Sequence, residues 1–285
     1  LVAALGSFLY ARRAGGRWLL RMEDLDAPRV VPGCADDILR TLETLGFEWD
    51  GAVVSQRPRT GAYRDALDRL KAAGAAYPCG CSRAEIARAA TAPHPGEDEI
   101  PYPGTCRGGL APGKAARAWR VRVDPEPVRF LDLVQGAQSF DLAFTCGDFV
   151  VRRADGLFAY QLAVVVDDAW QGVDQVVRGA DLLSSTPRQI HLQRLLGYPT
   201  PDHGHLPLVS APGGGKLSKR DNAISLAAGR DLSHDGASLL AGALAFLGQF
   251  VPPSAGRLPC RELLAVAVAS FEPSRIPKTG GPFPS

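Results

Sequence analysis

The apolar positions of this 285-residue chain change period several times, and the changes divide it into segments. Residues 1–13 read as a helix that Gly15 and Gly16 stop. Trp18, Leu19, Leu20, Arg21 and Met22 then predict a short buried strand running into the acidic turn Glu23, Asp24, Leu25 and Asp26, which makes half of a βαβ unit. A second helix is expected over about 34–45, with Ile38, Leu39, Leu42 and Leu45 on one face and Gly46 as its stop. A third is expected over about 61–73, behind the turn Arg57, Pro58 and Arg59.

From 77 to about 117 periodicity gives way to Cys, Pro, Gly and charge, the texture of an insertion. Alternation with a period of two returns at 119–123 and 148–152. Leu162, Ala163, Val164, Val165 and Val166 are continuously apolar and predict a strand buried on both faces of a parallel sheet. Past Leu183 comes the clearest helix: Thr186, Pro187 and Gln189 form a capping box, Leu195 and Leu196 lie on the apolar side, and Gly197 ends it. Residues from about 231 onward are Ala/Leu-rich and helical, and the Pro/Gly-rich stretch 278–285 is expected as a loose tail.

Charge is nearly balanced, 32 Lys and Arg against 30 Asp and Glu, so a nucleic-acid partner must meet a local basic face and not a globally cationic protein. The apolar start lacks a preceding basic region and is followed by Arg12, Arg13 and Arg17, the wrong polarity for a secretory leader. No apolar run approaches the roughly 18 to 20 residues of a membrane span, so a soluble, cytoplasmic protein is expected. Six cysteines are too few for a disulfide scaffold. Cys79, Cys81 and, beyond a Pro/Gly-rich loop, Cys106 have the spacing to share a tetrahedral Zn²⁺. The fourth ligand is open at this point: ligand preference favours His94, while Tyr102 stands four residues before the last cysteine. Cys34, Cys146 and Cys260 have no such arrangement and read as small core residues, and His191, His203 and His205 as structural.

Candidate chemistry lies at the segment borders. Lys216, Ser218 and Lys219 follow the run Gly213, Gly214 and Gly215, where two ammonium groups on a glycine-hinged loop can meet the charge that develops on a polyphosphate. Arg21 to Asp26 sit where strand meets helix, the crevice in which doubly wound folds bind ligands. Tyr160 stands at the start of the apolar run and Asp167 and Asp168 at its end. Arg178, behind Val176 and Val177, can grip a carboxylate by two parallel hydrogen bonds. Taken singly, each has a plainer reading as a helix cap, a surface ion pair or a packed strand residue.

Together and in this order, the motifs around Arg21, Tyr160, Arg178, His205 and Lys219 resemble the catalytic core of the glutamyl-tRNA synthetases, from residue 1 to about 226. The resemblance implies an α/β class I fold. Residues 1–76 and 156–210 would form the halves of a Rossmann-type catalytic domain, 77–155 a zinc-binding, RNA-contacting insertion of acceptor-binding type, and 211–285 a KMSKS-type loop with a small helical C-terminal region. It also implies a ligase reaction in which glutamate is joined to AMP and then to RNA. Glu23, Tyr160 and Arg178 would bind glutamate, and Lys216, Ser218 and Lys219 would bind ATP, accompanied by Mg²⁺, with both lysines stabilising the phosphates. The last position of the loop is Arg220, where the family motif has Ser. The pattern assigns Tyr102 as fourth ligand of a structural zinc beside Cys79, Cys81 and Cys106. Arg107, Lys114, Arg117, Arg120 and Arg122 supply cationic positions for RNA phosphates around the insertion.

The short stretch after Arg220 leaves no room for the large anticodon-binding domain of the full synthetases. That feature and the cysteine pattern resemble the short branch of the family that places glutamate on queuosine of tRNA(Asp). Two rivals remain: a catalytic fragment that charges a tRNA 3′ end, and a non-catalytic tRNA-binding paralogue. The family begins with a strand and a HIGH-type turn that binds ATP, so about 20 further residues are expected before Leu1.

Overall fold

In the computed structural model, residues 1–89, 100–210 and 231–284 are described. The first half holds α1 (Val2–Arg13), β1 (Arg21–Met22), α2 (Cys34–Thr44), β2 (Val54–Ser55) and α3 (Thr60–Ala72). β1 and β2 pair in parallel, and the ladder is extended by Asp50 N–H to Trp18 O at 2.9 Å. Gly46 stops α2 as expected, with positive φ, which only glycine adopts freely, and Gly74 does the same for α3. Ile38, placed by periodicity on the apolar face of α2, is exposed, whereas Leu42 and Leu45 are buried.

The middle of the chain forms β3 (Ala76–Cys79), α4 (Arg83–Ala89), β4 (Ala118–Val121), β5 (Val128–Asp132), β6 (Gly136–Phe140), α5 (Leu142–Thr145) and β7 (Phe149–Arg152). β3, β4 and β7 make a three-stranded antiparallel sheet. β5 and β6, within the stretch expected to be insertion, instead join the sheet of the second half.

That second half holds α6 (Tyr160–Gln171), β8 (Gln175–Gly179), α7 (Thr186–Leu196) and β9 (Asp202–Leu206). Its sheet runs β6-β5-β9-β8, with β5, β9 and β8 mutually parallel and β6 antiparallel. The strand expected at 162–166 is the interior of α6, which ends at Gly172 in the left-handed region. A continuous apolar run has no period to distinguish strand from helix, and this helix is covered by α3, α7 and β7 so that Leu162 through Asp168 are all buried. Its two aspartates clamp the half that precedes the insertion. Asp167 accepts from Gln56 Nε2 (2.9 Å), Arg59 Nε (2.6 Å) and Tyr63 Oη (2.7 Å), while Asp168 meets Arg21 Nη1 at 2.8 Å.

β10 (Val209–Ser210), α8 (Leu232–Phe246), α9 (Cys260–Ala269) and β11 (Gly281–Pro282) complete the described elements. The end is docked and not loose: β11 pairs in parallel with β10, and Phe283 stacks on Phe246. One apolar cluster joins α1, α2, α8 and α9, with Phe8, Trp18 and Phe47 edge to face or tilted at its centre. A second lies among α3, α6, α7, β4 and β7. Gly6 lets α1 close on β9, since a Cβ there would stand 2.4 Å from Leu206 Cδ1. Cys34 is exposed and Cys146 and Cys260 are half-buried, so none is the core residue expected of it.

Candidate active site and metal centre

Parallel strands leave a crevice at their carboxyl ends, and Arg178 stands next to the last residue of β8 there, in register with His205 on β9. Neighbouring registered residues share a sheet face, so the two side chains meet: Arg178 Nε lies 3.2 Å from His205 Nε2. Arg178 Nη2 donates to Thr186 Oγ1 and Gln189 Oε1, both at 2.8 Å. These two residues, expected to cap α7, are one helical turn apart on the face toward β8, and Ser185 is the cap, without a side-chain bond. Gln189 Nε2 donates to Gln161 Oε1 at 2.9 Å, and Gln161 Nε2 to Ser185 Oγ at 3.0 Å. Arg178 is thus locked by partners on β9 and α7.

Arg21 and Glu23 form a second charged pair. Arg21 Nη2 is 3.5 Å from Glu23 Oε1, and its Nη1 also reaches Gln171 Oε1 at 2.8 Å. Burial raises the Glu23 carboxyl, Asp168 adds to this, and Arg21 and Arg178 oppose it. Its side chain keeps 39% of its accessible surface, so the carboxylate lies within protein mass yet open to a ligand. The Tyr160 hydroxyl, at the first turn of α6, is pushed up to about 12 by burial and then by Glu23, with Arg178 pulling the other way. The charges of Glu23 and Arg178 thus act on each other and on Tyr160. Arg21 and Asp168 belong to the same group.

A zwitterionic amino acid fits this charge pattern, its ammonium toward Glu23 and a carboxylate toward Arg178. Between the N-terminus of α6 and the cysteine-bearing segment opens a cleft of about 620 Å³, lined by Tyr160, Gln161, Arg83, Arg120, Arg153 and Arg188. Its cationic wall suits phosphate.

The cysteines converge as their spacing predicts. The sulfurs of Cys79, Cys81 and Cys106 lie within 4.8 Å of one another, with Cys81 and Cys106 3.5 Å apart. Tyr102 Oη stands 3.4 Å from Cys79 Sγ and 3.6 Å from Cys81 Sγ. Ligands at about 2.3 Å (sulfur) and 2.0 Å (oxygen) from a tetrahedral Zn²⁺ have edges of about 3.8 and 3.5 Å, so the phenol stands where a fourth ligand belongs. The donor set fits zinc. Arg120 supports it, donating from Nε to Cys79 Sγ at 3.4 Å while its guanidinium lies 3.7 Å over the Tyr102 ring. Gly147 holds the segment: a Cβ there would be 2.4 Å from Tyr102 O. His94 lies outside the described residues, as do Lys216, Ser218 and Lys219.

Sequence reasoning missed Asp132, which meets His205 Nδ1 at 2.5 Å, and took His205 for a structural residue. The usable signal was the alternation of His203 and His205 on one strand beside Pro207.

The family model described as tRNA synthetases class I (E and Q), catalytic domain, matches residues 2–241. A Glutamyl-Q tRNA(Asp) synthetase of Geobacter sulfurreducens is 67% identical over 283 residues, covering 99% of this chain and 90% of that protein. Its counterpart in Dechloromonas aromatica is 56% identical over 279 residues, covering 98% and 90%. Among solved structures, a glutamate-tRNA synthetase of Elizabethkingia anophelis superposes with a TM-score of 0.79 at 22% identity, which is a likeness of fold. The match takes in 100% of this chain and 64% of that synthetase, so the chain spans less than two thirds of it.

Proposed function

The chain belongs to the class I tRNA synthetases of the glutamate and glutamine type, and from that premise we propose that it activates glutamate with ATP and transfers it to queuosine in tRNA(Asp). The observation that carries the glutamate half is a locked Arg178 whose charge acts on the accessible carboxylate of Glu23. The queuosine half rests on the relatives, whose printed names state that specificity, at 67% and 56% identity over nearly the whole chain.

In this reading the protein positions groups and supplies charge, without a covalent enzyme intermediate. Arg178 and Tyr160 hold glutamate while Glu23 receives its α-ammonium. A substrate carboxylate oxygen attacks the α-phosphate of ATP, the bond to the β-phosphate breaks, and pyrophosphate leaves. Lys216, Ser218 and Lys219 are assigned to the ATP phosphates, which Mg²⁺ accompanies, with the two lysines meeting the charge of that step. A hydroxyl of the queuosine cyclopentenediol then attacks the glutamyl carbonyl and releases AMP. The arginine-lined cleft beside Tyr160 and Gln161 supports entry of the acceptor nucleoside from the cysteine-bearing side. Zinc, held by Cys79, Cys81, Tyr102 and Cys106, would supply structural order to that side.

The test is incubation with labelled glutamate, ATP and bulk tRNA with or without queuosine, followed by nuclease mapping of the label. Label on the wobble nucleoside, only in queuosine-containing tRNA, is expected. Label at a 3′ end would favour a catalytic fragment of an ordinary glutamyl-tRNA synthetase, and glutamate-dependent pyrophosphate exchange without any transfer would also reject the proposed acceptor.

A further inference from the structure

Asp132 has no part in the proposed reaction, yet it is fully buried on β5, two strands from Arg178. Its two oxygens do different work. Oδ1 accepts the backbone N–H groups of Val134 (3.0 Å), Gln135 (2.8 Å) and His205 (3.1 Å), while Oδ2 takes His205 Nδ1 at 2.5 Å. An ionised carboxylate only accepts, so Nδ1 carries the imidazole proton and Nε2 is bare. Arg178 Nε–H can then donate to Nε2. The Thr186 hydroxyl, which accepts from Arg178 Nη2, lies 3.1 Å from the same nitrogen. Guanidinium has no acceptor, so the other tautomer would set an N–H of His205 against an N–H of Arg178. His203, stacked parallel on His205 at 6.3 Å, adds no cation beside Arg178, since burial, then Arg178 and His205, bring it down to about 4.

We propose that Asp132 and His205 are positioning residues for Arg178: the carboxylate selects the imidazole tautomer whose bare Nε2 fixes the guanidinium plane, so that its Nη1 edge meets the substrate carboxylate. Among the described residues no hydrogen bond is made to Nη1. The inference deepens the glutamate-binding reading and rests on it.

Asp132→Asn separates orientation from shape. Three backbone N–H groups still require an oxygen at the Oδ1 position, so the new NH₂ faces His205 Nδ1 and drives the proton to Nε2. In pyrophosphate exchange with the full-length gene product, the glutamate KM is expected to rise about 10- to 100-fold, the loss of roughly one charged hydrogen bond, with kcat at saturating glutamate and the ATP KM little changed. Nitrogen-15 spectra of histidine-labelled protein, assigned by loss of the signal in His205→Gln, should show the Nδ1–H form in the wild type and the Nε2–H form in Asp132→Asn. The amide that His205→Gln introduces has an acceptor oxygen and no tautomer to be set, so adding Asp132→Asn to that variant should cost less than about threefold in glutamate KM.

A wild-type His205 in the Nε2–H or doubly protonated form at neutral pH overturns the proposal, and that spectrum needs no variant to fold. A tautomer change with an unaltered glutamate KM overturns it as well. Arg178→Lys, run in parallel, distinguishes the failures: if it raises the glutamate KM and Asp132→Asn does not, the relay falls and the glutamate reading stands. If neither does, the reading itself falls.

Discussion

Replacing Arg178 by lysine tests the glutamate site most directly. The guanidinium spends Nε on His205 at 3.2 Å and Nη2 on Thr186 and Gln189 at 2.8 Å, so its plane is set before any ligand arrives. A lysine ammonium is one point with three donors. It cannot span these partners and still present a flat edge to a carboxylate, and His205, Thr186 and Gln189 would be left with unmet bonds in a buried setting. Truncating one partner of a desolvated charge pair costs about 2 to 5 kcal/mol, hence a rise of at least about thirtyfold in the glutamate KM or Kd. Glutamate-dependent pyrophosphate exchange and calorimetric titration of glutamate would read it, with thermal melting as a control for the fold. An unchanged glutamate affinity in a folded variant would refute the reasoning and remove Arg178 from the site.

Elemental analysis should find one Zn²⁺ per chain, lost in Cys81→Ser and kept in His94→Ala, with tRNA transfer more impaired than adenylate formation; retention after both Cys79 and Cys81 are replaced rejects the centre. Arg59→Met should destabilise the fold by about 3 kcal/mol in urea denaturation, because fully buried Asp167 loses its cation; a loss under about 1 kcal/mol would count against the clamp. Asp132 gives a pH signature. Burial works to raise its carboxyl, but the bonds from His205 and the backbone of Gln135, Val134 and His205 hold it down to about 2, against 3.8 ordinarily. A depressed folded value means stabilisation that is complete above the unfolded value and lost as pH falls from 3.8 toward 2, worth about 2 kcal/mol, so Asp132→Asn should flatten that part of the acid-denaturation curve.

Gly15 and Gly16 made the end of α1 legible in the sequence, apolar spacing and Gly46 made α2 so, and the turn before it marked α3. α6 was not legible as a helix, since a helix covered on all sides loses the period by which it is recognised. Thr186 and Gln189 match a capping box in spacing, but the same separation lets two side chains reach one arginine on a neighbouring strand, and no local rule distinguishes the uses. Cys79, Cys81 and Cys106 were readable because thiolate chemistry restricts their uses, whereas Asp132 lies far in sequence from His205, whose ring it meets. Pairing of β10 with the chain's last described residues is a contact of long separation and left no trace in composition.

The clamp that α6 places on the first half also sets an order of events during synthesis. Gln56, Arg59 and Tyr63 wait 111, 108 and 104 residues for Asp167, and Arg21 waits 150 for Gln171. At a translation rate of about 5 to 20 residues per second, these residues are synthesised about 5 to 30 s before their partners exist. The cysteine cluster and the residues that brace it, Arg120 and Gly147, all precede Asp167 and can assemble within that interval. The peripheral module thus has the means to fold while the catalytic domain that hosts it is still incomplete, and the nascent first half, with Tyr63, Leu67 and Leu70 uncovered, is the form most in need of a chaperone.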